Sequence, residues 1–235
     1  MPMYNVKSFE KEEMLSQKEA NTLKEISNDE RYIKFTRDLE RLNLKYNAGI
    51  LEMKTKIDII NEDLKARYSY NPIKSIQTRL KGPGSIIKKM NRLNLDVNID
   101  NINGKINDIA GVRIVCKYIP DIFMIVDILK NDKDIKIIKE KDYVNNPKES
   151  GYRSYHLIVE IPITLTTGIE HVIVEIQIRT MSMDFWASLE HEVVYKYNGE
   201  IPDEVRIQMV EAAEEATRLD AKMNSLKETI FKENK

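Results

Sequence analysis

The chain has 235 residues, of which 37 are basic and 38 acidic, for a net charge of −1. That length builds an ordinary core without staples, and the charge balance excludes a general nucleic-acid or membrane binder, so any basic site has to be local. The single cysteine, Cys116, excludes an internal disulfide and a cysteine zinc cluster, and no apolar run approaches the ~20 residues that cross a bilayer, which places the protein in a cytoplasm.

Residues 1–69 read as a helical region. Strong helix formers dominate, proline is absent after Pro2, and Tyr46, Ile50, Met53, Ile57, Ile60 and Leu64 step by four and three. Tyr70-Asn71-Pro72 ends the pattern, because the residue before a proline is pushed out of the helical region. Alternating elements are expected over 70–200 and a further helix over 201–235. Residues 73–81 predict a strand. Gly82-Pro83-Gly84-Ser85 then predicts a turn, with Ser85 capping a short helix that ends near Asn94. Arg79, Lys81, Lys88, Lys89 and Arg92 gather around the start of that helix, where each cation opposes the helix dipole by about 0.3–1 kcal/mol. A sequence that accepts this is expected to bind anions at the free amides; a solvated basic face is the plainer alternative.

From Asp108 the pattern becomes alternating β and α. A strand is expected over 109–117, with Cys116 as a buried inert thiol, then a helix over 121–129 and a strand over 135–139. Strands 155–163 and 171–180 pair as an antiparallel hairpin across Thr166-Thr167-Gly168, for a sheet of about five strands. Ala110-Gly111 removes side-chain bulk beside Asp108, so a backbone or a nucleotide can approach closely. In Val174-Glu175-Ile176-Gln177-Ile178-Arg179 the apolar residues fall on one face, and Glu175, Gln177 and Arg179 on the other. Two carboxylates, Asp108 and Glu175, are what Mg²⁺ commonly takes from a protein, the rest of its shell being water and phosphate. Glu175 can also accept a proton from an attacking hydroxyl. The alternative is structural: Asp108 caps a turn, and Glu175 pairs with Arg113 or Arg179.

The polar loop 142–151 leads into Gly151-Tyr152-Arg153-Ser154-Tyr155-His156. Gly151 permits a sharp turn, Tyr152 is read as an exposed ring able to stack on a purine, Lys141 and Lys148 reach phosphates, and His156 donates to a phosphate or a base. Each of these residues taken alone is equally a packing residue. Helix resumes over 182–197, breaks around Asn198-Gly199 and Pro202, and restarts after Asp203. In the last helix Val205, Met209, Ala212, Ala216, Leu219, Met223, Leu226 and Ile230 keep a four-three alternation. Such a narrow seam calls for a helical partner, either the amino-terminal helix or a neighbouring subunit.

Together, Arg79-x-Lys81-x-x-x-Ser85-x-x-x-Lys89, Asp108-Ile-Ala-Gly-Val-Arg113, Gly151-Tyr-Arg-Ser-Tyr-His156, Val174-Glu-Ile-Gln-Ile-Arg-Thr180 and Phe185-Trp-Ala with His191 resemble the synthetase domain of the RelA/SpoT homologues. Among these the chain most resembles the small alarmone synthetases of the RelQ type. The resemblance implies an α/β (α+β) fold, a nucleotidyltransferase-like mixed sheet flanked by helices with long terminal helices. It implies transfer of pyrophosphate from ATP to the 3'-hydroxyl of GMP, GDP or GTP, giving the alarmones of a stress response. Asp108 and Glu175 would hold Mg²⁺, Arg79 and Arg113 would sandwich the adenine, and Lys81, Ser85 and Lys89 would hold the ATP phosphates. Tyr152 would stack on guanine, with Lys148, His156 and Gln177 supporting the acceptor, and Lys141 beside them. A homotetramer is implied, with a cleft that binds alarmone product or single-stranded RNA, and no membrane partner. The histidine-rich hydrolase site of larger relatives is not expected, since none of His156, His171 and His191 is followed by aspartate. The rival reading is a non-catalytic nucleotide or RNA sensor on the same fold.

Overall fold

The computed structural model describes residues 30–102, 105–196 and 201–233. In chain order these form α1 (Glu30–Tyr68), β1 (Ile73–Leu80), α2 (Pro83–Arg92), a 3-10 turn (Ile99–Asn101), β2 (Ala110–Cys116), α3 (Ile119–Asn131), β3 (Lys136–Asp142), β4 (Tyr155–Leu165), β5 (Gly168–Thr180), α4 (Met181–Lys196) and α5 (Asp203–Glu233). The strands pair in the order β1-β2-β5-β4-β3, so the expected sheet and its β4–β5 hairpin are present. The expected helix over residues 1–29 and the break at Asn198-Gly199 lie outside the described residues. No described helix is long and apolar enough to cross a membrane.

Internal packing divides the chain into two units. One comprises α1 as far as Lys54, Thr78–Val112 and Glu160–Glu175. Here the four-three stripe of α1 is buried through Leu39, Tyr46, Ile50 and Met53, while Leu44 and Leu51 on its other side are exposed. Gly49 faces β5 so closely that a Cβ there would lie 2.8 Å from Val172 Cγ1. The inner face of α2 buries Ile86, Ile87 and Met90.

Helix α2 departs from expectation at its start. It begins at Pro83, with Gly82 in the capping position, so Ser85 is its third residue and not its cap. Proline suits the first helical position because its φ is already helical and its missing N–H would have had no partner there. Lys89 and Arg92 therefore stand in the last turn, where cations complement the dipole. The electrostatic cost expected of a basic first turn is absent. The helix stops at Asn94, whose φ of 53° is left-handed, with Leu95 N donating to Met90 O and Asn94 N to Asn91 O. These two bonds are the usual closure for such an end.

The second unit comprises Thr55–Gln77, Arg113–Val159 and the chain from Ile176 onward. Helix α3 buries Ile122, Ile125, Val126 and Leu129, and Cys116 in β2 is fully buried, which pushes its thiol pKa well above the usual range. Helix α5 packs on α4 and α3. Its buried face is not the expected seam. Ala213 and Asp220 are buried, with Thr217, Asn224 and Lys227 half-buried, whereas Leu219, Met223, Leu226 and Ile230 are 45–58% exposed. Of the four-three stripe, Met209 packs against the Trp186 cluster of α4 and Ala216 is half-buried, while the part from Leu219 onward lies round the helix from that contact.

Candidate active site

In the first unit the loop before β2 places Asp108 between two lysines. Lys89 Nζ lies 2.7 Å from Asp108 Oδ1, and Lys81 Nζ, just beyond the end of β1, lies 3.2 Å from Oδ2. Lys81 is positioned by its backbone, whose N–H donates to Ile109 O at 2.8 Å. Burial pushes the Asp108 carboxyl pKa up, but Lys89 and Lys81 outweigh it and hold the group below the ordinary carboxylate range. Asp108 is thus ionised and already compensated by the cations expected to meet phosphates. Ser85, half-buried, lies one turn before Lys89 on α2. Arg79 is exposed on β1, and its carbonyl would lie 3.6 Å from a Cβ at Gly111, an ordinary contact. Glu175 is half-buried on β5, the strand next to β2, between fully buried Val174 and Ile176. The alternation read from the sequence holds there.

In the second unit Arg179 is the hub, at 4% exposure. Its Nη2 donates to Tyr152 Oη at 2.6 Å and to Gln177 Oε1 at 2.9 Å, and its Nη1 to Asp184 Oδ1 at 3.3 Å. Tyr152 Oη lies 2.9 Å from His156 Nε2. Tyr152 is not the exposed ring expected: it is buried in a cluster with Trp186, Ala187 and Ala213. Lys148 Nζ stands 4.6 Å from the centre of its ring and the Arg179 guanidinium 5.1 Å, so two cations stand against it. Lys141 lies over the neighbouring Tyr143 ring at 5.6 Å. Arg113 joins this group through Asp184 Oδ1 at 3.3 Å, and also donates to Gln77 Oε1 at 3.4 Å.

The structure therefore gathers Lys81, Lys89 and Asp108 in one cluster, and Lys148, Tyr152, His156, Gln177 and Arg113 around Arg179 and Asp184 in another. Of the last two, the sequence offers Arg179 only as a polar-face residue and candidate partner of Glu175, and assigns Asp184 no role. Asp184 had one available signal, a carboxylate in the first turn of α4, where the helix dipole favours it and where Arg179, five residues earlier, can reach.

A model of the family described as "Region found in RelA / SpoT proteins" matches residues 78–200. The GTP pyrophosphokinase YwaC of Bacillus subtilis is 43% identical over 187 residues, covering 80% of this chain and 89% of that protein. The crystal structure of small alarmone synthetase 1 from B. subtilis bound to its product pppGpp superposes with a TM-score of 0.76 at 37% identity, covering 83% of this chain and 98% of that one. The same synthetase bound to AMPCPP gives a TM-score of 0.70 at 33% identity, with the same coverage. Matched over half its length by the family and over four fifths by these enzymes, the chain belongs to the small alarmone synthetases of the RelA/SpoT family.

Proposed function

We propose that the chain moves the β,γ-pyrophosphoryl group of ATP to the 3'-hydroxyl of GMP, GDP or GTP, yielding pGpp, ppGpp or pppGpp and AMP, in a cytoplasm. The observation that carries this reading is the Lys81–Asp108–Lys89 cluster, with Glu175 on the strand beside β2. The relative that binds AMPCPP and pppGpp supports it. Lys81, Lys89 and Ser85 hold the ATP phosphates, and the lysines exchange Asp108 for them. Arg79 stacks on the adenine. Glu175 takes the proton of the 3'-hydroxyl as its oxygen attacks the β-phosphorus, and the bond from that phosphorus to the α,β-bridging oxygen breaks to release AMP. Tyr152 stacks on guanine once Lys148 swings from its ring to the 5'-phosphates, with Lys141, His156 and Gln177 supporting the acceptor.

The donor set fits Mg²⁺: an ionised Asp108 beside two ammonium groups, and Glu175 on the neighbouring strand, are hard oxygen ligands of suitable number. Bound there, the metal neutralises charge on the transferring group. The protein supplies alignment, because both β5 neighbours of Glu175 are locked in the core.

Purified protein with Mg²⁺, γ-labelled ATP and each guanosine nucleotide in turn is expected to pass label to the acceptor with matched AMP release. Nucleotide binding without transfer would overturn the reading in favour of a sensor. The exposed apolar residues Leu219, Met223 and Leu226 support a homotetramer. Light scattering is expected to find four copies, and Leu226→Glu to yield smaller species. A monomeric wild type would remove the tetramer.

A further inference from the structure

Helix α5 touches the acceptor cluster along its inner face at three places. Ala213, buried, stands where a Cβ on Gly151 would come within 2.5 Å of its own Cβ, and Gly151 takes a φ of +87° that side chains rarely adopt. Trp186, which packs with Tyr152, donates its indole N–H to Met209 O at 3.0 Å. Asp220, seven residues after Ala213 and so two turns along the same face, is only 6% exposed. Its Oδ2 accepts from Thr180 Oγ1 at 2.6 Å and its Oδ1 from Ser182 Oγ at 2.9 Å.

Thr180 is the residue after Arg179. Its hydroxyl oxygen also accepts from Met183 N at 3.1 Å, which caps the first turn of α4. Holding Thr180 and Ser182 thus fixes where Arg179 leaves β5 and how α4 presents Asp184 and Trp186. Burial pushes the Asp220 carboxyl pKa up, against the pull of its two hydroxyl bonds and of Arg153. A carboxylate held under that penalty is a poor choice for packing alone.

We infer that Asp220 is a positioning residue for the guanosine acceptor: through Thr180 and Ser182 it sets the Arg179 guanidinium that orients Tyr152, without touching substrate. The inference rests on the proposed acceptor role of Tyr152. Asp220→Ala is expected to raise the acceptor KM about tenfold while the ATP KM moves by less than about twofold, at a temperature where the fold is intact. Asp220→Asn, which keeps one acceptor oxygen, falls between. Ser182→Ala removes a single bond and is expected to give about a threefold rise, which keeps the test decisive if Asp220→Ala does not fold. Tyr152→Ala separates the two failures. If it leaves the acceptor KM unchanged, the reading of the acceptor site is wrong. If it raises that KM while Asp220→Ala or Ser182→Ala shifts only the melting temperature, or both KM values equally, Asp220 is a structural residue and the inference falls.

Discussion

Glu175→Gln is expected to lower kcat for pyrophosphoryl transfer about 10³-fold or more, since it removes the proposed proton acceptor and metal ligand. The substitution is nearly isosteric, and the residue sits between Val174 and Ile176, which are fully buried and hold the strand in register. Glutamine therefore changes the charge and leaves β5 in place. Binding of ATP and of a guanosine nucleotide, followed by calorimetry without turnover, is expected to persist within about tenfold. Residual transfer within an order of magnitude of wild type would remove Glu175 from the chemistry and leave Asp108 as the carboxylate to test.

The largest effect on stability is expected at Asp121. This carboxylate is fully buried at the start of α3, where Tyr70 Oη donates to its two oxygens at 2.7 and 2.9 Å and Tyr118 N donates to Oδ2 at 3.1 Å. Lys227 of α5 completes the cluster. Its Nζ is 2.7 Å from Tyr70 Oη and 3.6 Å from Asp121 Oδ1, and it lies 4.2 and 4.4 Å from the ring centres of Tyr70 and Tyr118. Burial and the bond to Asp121 push the Tyr70 pKa far up, so the phenol remains a donor. Asp121→Ala strips the acceptor from two donors and the counter-charge from Lys227, at a cost of about 3–5 kcal/mol. For a chain of this size that lowers the melting temperature by roughly 10 °C. A shift under about 2 °C would mean that water already reaches the cluster and carries its hydrogen bonds.

Local pattern made much of this molecule legible. The period-2 alternation of residues 174–178 placed Glu175 opposite a buried face, and Tyr46, Ile50, Met53 and Ile57 marked the inner stripe of α1. Pro72 ended the first helix where expected, and its carbonyl accepts from Lys117 N. The misreadings share a cause, which is that local pattern carries no neighbour. Ser85 has good capping chemistry, but Pro83 claims the first helical position. Tyr152 looks like a free ring until α4 and α5 bring Trp186 and Ala213 against it. Arg179, Asp184 and Asp220 gain their contacts from partners distant along the chain, Tyr152 for Arg179, Arg113 for Asp184 and Thr180 for Asp220, and no spacing rule reaches that far. The seam of α5 shows a different limit: periodicity reports that a stripe is apolar and is silent on which surface receives it.

The strand order leaves β1 and β3 at the two margins of the sheet. Each is studded with exposed polar or charged side chains: Lys74, Gln77 and Arg79 on β1, and Lys136, Lys139, Glu140 and Lys141 on β3. Bringing a second sheet alongside would press like charges together and strip them of water, which discourages growth by strand addition. Copies of this chain that associate are therefore steered away from edge-to-edge strand pairing, by side chains among which Arg79 and Lys141 also have proposed substrate roles.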